Sequence, residues 1–153
     1  MEMLKFETLD DILDFAILQE KAAQQFYSRL SGMVKNPQVS LFYRTLVEEE
    51  SLHEQHLQRL KNRSYQLKEA DLAMLRDSGY LSAMPDRPDM TLAEAIRFSV
   101  KKERSARMLY ALLAERMQDN RELAEVFQML ADQEQLHAEY FEGELQKEKS
   151  RPG

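Results

Sequence analysis

A chain of 153 residues that is 43% hydrophobic and 31% charged, with only four glycines and four prolines, is long enough to bury a core and reads as helical. Its formal net charge of −6 argues against nucleic acid and anionic membranes as partners. Having no cysteine, it excludes disulfides, thiolate nucleophiles, cysteine-ligated iron–sulfur centres and rubredoxin-type iron.

At the start, Met1-Glu2-Met3-Leu4-Lys5 lacks the basic and apolar regions of a signal peptide, and no apolar run along the chain is long enough to span a bilayer. A soluble cytoplasmic protein is expected. Thr8 to Val34 carries helical periodicity and stops near Gly32 and the Asn36-Pro37 pair, which is suited to cap and open a second helix running to about Tyr65. Gln66 to Met90, with Gly79, Pro85 and Pro88, reads as a long connection containing a short helix over Glu69 to Arg76. Thr91-Leu92-Ala93-Glu94 is a capping box that opens a third long helix ending near Gln118. Asp119 or Asn120 then caps a fourth, which fades between Gly143 and Lys149. The scattered methionines, Met3, Met33, Met74 and Met84 among them, read as core or gap-filling residues.

The short links make helices one and two, and three and four, antiparallel hairpins. An extended middle connection covers about 3.3 Å per residue and can run the length of a bundle. The expected fold is therefore all-α: two antiparallel helix hairpins joined by a long crossover into one four-helix bundle over residues 1–149, with a loose tail at 150–153. The halves repeat. Phe15, Glu20, Ala23, Tyr27 and Leu30 match Phe98, Glu103, Ala106, Tyr110 and Leu113 at one constant offset. One residue further on, Leu46, Glu50, Leu52 and His53 match Leu130, Glu134, Leu136 and His137.

Steps of three and four residues trace one mostly apolar seam along each helix. The first runs Leu9, Leu13, Ala16, Glu20, Ala23, Tyr27, Leu30, Val34, and the third Leu92, Ile96, Ser99, Glu103, Ala106, Tyr110, Leu113, Met117. The second runs Val39, Tyr43, Leu46, Glu50, His53, Leu57, Leu60, and the fourth Leu123, Phe127, Leu130, Glu134, His137, Phe141. Each is broken near its middle by Glu or by Glu-x-x-His. Four inward carboxylates without cations would repel one another and resist ionisation. Two divalent ions balance their charge, and the i, i+3 spacing puts each Glu and His on one helical face. Glu20, Glu50, His53, Glu103, Glu134 and His137 are thus the expected metal ligands, in the pattern of di-iron carboxylate bundles. Oxygen and imidazole donors suit two iron ions, or manganese, and the lack of thiolate argues against structural zinc. Taken singly, each motif has an ordinary reading: a Glu-x-x-His is common in a Glu-rich chain, and Glu103 could pair with Arg107. All six falling on inward seams at one level in both halves is what points to metal. His56, Glu48 and Glu49 fall off the seams and read as surface residues. Tyr27 and Tyr110 sit two turns beyond Glu20 and Glu103, as core aromatics or as donors of an electron and a proton near the metals.

With these segments (AILQEKAAQQFY over 16–27, EESLH over 49–53, KERSARMLY over 102–110 and DQEQLH over 132–137), residues 8 to 147 resemble the di-iron domain of the rubrerythrins in the ferritin-like superfamily. The resemblance implies the same six ligands, with Glu50 and Glu134 as bridging carboxylates. It implies an oxidoreductase reducing hydrogen peroxide or dioxygen, with electrons from a separate donor protein because no rubredoxin site can be built without cysteine. Many rubrerythrins also place a Glu one turn after the third-helix ligand; here that position is Ala106, with Ala23 as its mate. Ferritin-like ferrous iron oxidation and iron handling, a manganese catalase-like reaction, and a metal-stabilised scaffold or regulatory bundle are the alternatives. A homodimer is expected by analogy with side-by-side pairing of ferritin-like bundles.

Overall fold

The computed structural model describes residues 6–63 and 65–150. They form five helices and no strand: α1 (Leu9–Met33), α2 (Pro37–Leu60), α3 (Glu69–Asp77), α4 (Leu92–Arg116) and α5 (Arg121–Ser150). The chain divides into two compact units, Met1–Leu81 and Ser82–Gly153.

In the first unit, Thr8 opens α1 through a capping box with Asp11, and Asn36 opens α2 by accepting from the N–H groups of Gln38 and Val39 ahead of Pro37. Each such cap is worth about 1 kcal/mol. Cross-links at both ends and near the middle make α1 and α2 antiparallel. Lys61 Nζ lies 2.6 Å from Asp14 Oδ1, Gln24 Nε2 donates to Glu54 Oε1 at 2.9 Å, and Ser40 Oγ donates to the Ser31 carbonyl at 2.8 Å. The second helix stops at Leu60, short of the expected Tyr65. The Asp10 carboxylate accepts from the Asn62 N–H at 3.3 Å while Asn62 takes the left-handed φ of 64°, so the chain turns out of the helix there. The short helix α3 buries Leu72 and Leu75, and Arg76 donates to the Phe6 carbonyl at 2.7 Å. Gly79, at φ 84°, supplies the left-handed residue just past its end.

In the second unit, Thr91 and Glu94 form the expected capping box on α4. Of the two candidate caps for α5, Asn120 serves: its Oδ1 accepts from the Leu123 N–H at 3.3 Å. Arg104 bonded to Glu142 (2.9 Å) and Tyr110 stacked on Phe127 (6.3 Å, 22°) make α4 and α5 antiparallel. The last helix continues through Gly143 to Ser150, so of the expected loose tail Ser150 is helical and 151–153 lie outside the described residues.

All four seams are buried along most of their length; only their end positions Val34, Val39 and Leu92, together with Ala106, are half-buried. Met33 departs from the gap-filling expectation, being 43% exposed, and Met3 lies outside the described residues. No helix among the described residues is long and apolar enough to cross a membrane.

Candidate metal centre

Each hairpin carries a Glu, Glu, His cluster in its interior. In the first, α1 supplies Glu20 while α2 supplies Glu50 and His53, all 2% exposed or less. In the second, α4 supplies Glu103 and α5 supplies Glu134 and His137, at 5% exposure or less. One ligand atom from each member lies within 4.8 Å of those of the other two. Antiparallel packing brings the lone Glu of one helix level with the Glu-x-x-His of its neighbour.

His53 Nδ1 is 3.7 Å from Glu20 Oε2 and 3.7 Å from Glu50 Oε2; His137 Nδ1 is 3.5 Å from Glu103 Oε2. These separations are wider than a hydrogen bond. Metal–oxygen and metal–nitrogen bonds run about 2.0–2.2 Å, so two ligands of one ion lie up to about 4.4 Å apart. The spacings fit that range. Nδ1 is the ring nitrogen facing the carboxylates, which leaves Nε2 to carry the proton when Nδ1 binds a cation.

The electrostatics describe a site short of positive charge. Burial, and then the negative charge of Glu50, raises the Glu20 carboxyl well above the usual range, against the opposing pull of His53. For His53 burial alone would lower the imidazole, but the facing Glu20 and Glu50 carboxylates outweigh it and push the pKa up to about 11. Protons thus do in the first cluster what a divalent ion would do better, since a proton cannot neutralise several carboxylates at once. Arg107, which could have served Glu103 from one turn away, turns its Nη1 to Met108 Sδ at 3.5 Å.

The structure places the other singled-out residues as follows. Tyr27 and Tyr110 are buried, two turns beyond Glu20 and Glu103, against Phe26 and Phe127 respectively. Glu48 is exposed, whereas Glu49 and His56 are half-buried. Burial, with help from Arg59 and His53, lowers the His56 pKa and favours its neutral form. Ala23 is buried and Ala106 half-buried, so neither adds a carboxylate.

One feature of the first cluster was not expected from sequence. Gln24 and Glu54, each one turn beyond a ligand, are hydrogen-bonded across α1 and α2, with Lys21 Nζ 4.0 Å from Glu54. They clamp the two helices beside the cluster. Their repeat positions are Arg107 and Ala138, so the repeat gave no hint of the pair. The second hairpin uses Arg104 and Glu142 instead.

Residues 94–152 match the Rubrerythrin family model. No curated protein matches the chain. Among solved structures, a crystal structure described as that of a ferritin-like diiron-carboxylate protein from Thermotoga maritima is similar, with a TM-score of 0.70 and 21% identity over 94% of this chain and 97% of that one. At that identity the likeness shows the fold: it is the ferritin-like, all-α architecture expected from the seams, on a chain without the cysteines of a rubredoxin site.

Proposed function

We propose that the two clusters act together as one binuclear metal centre in a single bundle over residues 1–149. We propose further that the protein is an oxidoreductase reducing hydrogen peroxide or dioxygen. The observation that carries this reading is the buried Glu, Glu, His cluster occurring once in each hairpin, with donor atoms at metal-ligand spacing. Four carboxylates and two neutral imidazoles balance two divalent ions, and their oxygen and nitrogen donors suit iron first and manganese second.

Glu20, Glu50, His53, Glu103, Glu134 and His137 would hold the metals, with Glu50 and Glu134 bridging by resemblance. Two ferrous ions bound there would have the two electrons that take hydrogen peroxide to two waters, or dioxygen as far as peroxide. The carboxylates would offset the charge of the metals, and the imidazoles, whose Nδ1 atoms face the carboxylates, would serve as neutral ligands. Tyr27 and Tyr110, buried on the seams two turns from Glu20 and Glu103, are the proposed proton donors, and two protons complete the conversion of one peroxide to two waters. Resetting the site takes two electrons, which a cysteine-free chain draws from a separate cytoplasmic donor protein.

A second reading, ferrous iron oxidation for storage or transfer, is favoured by one observation: Ala106 stands where many rubrerythrins carry a further Glu. Metal analysis of anaerobically purified protein, followed by stopped-flow spectra, separates the two. About two irons per chain, oxidised faster by peroxide than by dioxygen, is the expected result. Preference for dioxygen in a large particle would favour iron handling. No bound metal after reconstitution would overturn the site.

A further inference from the structure

We infer that the outward face of α5, centred on Leu136, is where a small carrier protein with a basic surface docks to deliver electrons to the metal centre. The inference rests on the oxidoreductase reading above, which leaves a cysteine-free chain dependent on an outside donor. Leu136 is 64% exposed, more than any other large apolar side chain among the described residues, and it directly precedes the buried His137. Glu134 and His137 occupy the inward side of the same helix. A redox centre resting on Leu136 is therefore separated from those ligands by one helix diameter, about 10–12 Å, crossed through α5 itself.

The charges around Leu136 select the partner. Asp132 lies one turn before it and Glu139 one turn after, both exposed on the same side of α5. Asp132 Oδ1 accepts from Gln128 Nε2 at 3.0 Å, and Glu139 Oε1 from Gln135 Nε2 at 2.9 Å. A neutral amide thus holds each carboxylate in place without cancelling its charge, and neither acid makes an ion pair among the described residues. The face offers an apolar contact between two fixed, uncompensated negative charges. Apolar surface gains from being covered, and rim charges of one sign steer the opposite sign onto it. Lysines or arginines flanking an apolar patch at the carrier's redox centre complete the match.

A second copy of the chain is the wrong occupant for this face, because a two-fold contact centred on Leu136 sets acid against acid twice, on a chain whose net charge is already −6. An anionic membrane is repelled in the same way. The repeat positions on α2 carry Leu52 with Glu48 before it but Gln55 after it, so of the two faces α5 alone has an acid on each side of its leucine. Each docked carrier gives up one electron and leaves oxidised. Two carriers return the two electrons that one peroxide has taken, and no bond is made or broken at the docking face.

The probe is zinc-substituted cytochrome c, a small basic protein whose photoexcited porphyrin donates one electron. At low salt it should bind the full chain with or without metal, and its excited state should be quenched faster by the oxidised metal-loaded protein than by the metal-free one. Asp132→Lys and Glu139→Lys should each raise the dissociation constant and slow that extra quenching by about three- to tenfold, since each turns an attraction at the rim into a repulsion. Leu136→Ser should weaken both by losing the apolar contact. Glu48→Lys, the same charge change at the repeat position on α2, should alter neither by more than about twofold. Circular dichroism should report unchanged helix content throughout. Peroxide turnover with ascorbate, which needs no docking, should be the same in wild type and the α5 variants; its absence from the wild type would count against the oxidoreductase reading itself. Binding and quenching by the α5 variants at wild-type levels, equal weakening by Glu48→Lys, or binding without quenching beyond the metal-free level would overturn the inference.

Discussion

Removing the metal should make this protein less stable as pH rises through neutrality, opposite to the loss on acidification expected when carboxylates are ion-paired. In the metal-free fold His53, facing Glu20 and Glu50, keeps its proton up to about pH 11, whereas the unfolded chain releases it near 6.5. Its contribution is complete below about pH 6.5 and is lost as pH rises through 11. One proton held by the folded state alone gives a slope of about 1.4 kcal/mol per pH unit, so raising pH from 7 to 9 should cost about 2–3 kcal/mol. The raised Glu20 carboxyl adds a contribution of the same sign in its own window above 4.5. With a urea m-value of about 2 kcal/mol/M, the midpoint should fall by about 1 M. The assay is urea unfolding of chelator-treated protein at pH 7 and pH 9, beside His53→Gln, in which most of the slope should vanish. Metal-loaded protein should instead gain stability over this range, because binding through Nδ1 expels the proton and tightens as pH rises. Metal-free stability that is flat or rising from pH 7 to 9, or a His53→Gln variant with the wild-type slope, would refute the reasoning.

Glu50→Ala and Glu134→Ala should each lower metal content from about two per chain to one or fewer while circular dichroism still reports a helical protein; two metals retained in both variants would sink the ligand assignment. Tyr27→Phe and Tyr110→Phe should keep both metals, and if the phenols supply protons should slow the peroxide reaction by on the order of a hundredfold in stopped flow. Wild-type rates would make them core aromatics only. Thr91→Ala should lower unfolding stability by about 1 kcal/mol through loss of the α4 capping box, without changing metal content.

Most of what was legible in the sequence is local. Three- and four-residue spacing set the long helices, because side chains at those steps share one face of a helix whatever it packs against. Asn36 with Pro37, and Thr91 with Glu94, marked two helix starts because a cap is made by residues within one turn. The six polar interruptions stood out because a buried carboxylate is costly and the repeat placed them at one level in both halves. Other features came only from tertiary structure, since they join residues far apart in the chain. The second helix ends at Leu60 because Asp10 reaches Asn62 from 52 residues away. Gln24 and Glu54 clamp the first cluster through a contact across two helices that no local pattern encodes. The proton on His53 depends on carboxylates 3.7 Å away, one of them on another helix, and distance and burial rather than residue type decide it. Leu52 and Leu136 matched in the repeat without revealing which way they face; the rotation of each helix about its own axis turned both to solvent, because its Glu and His occupy the inward side.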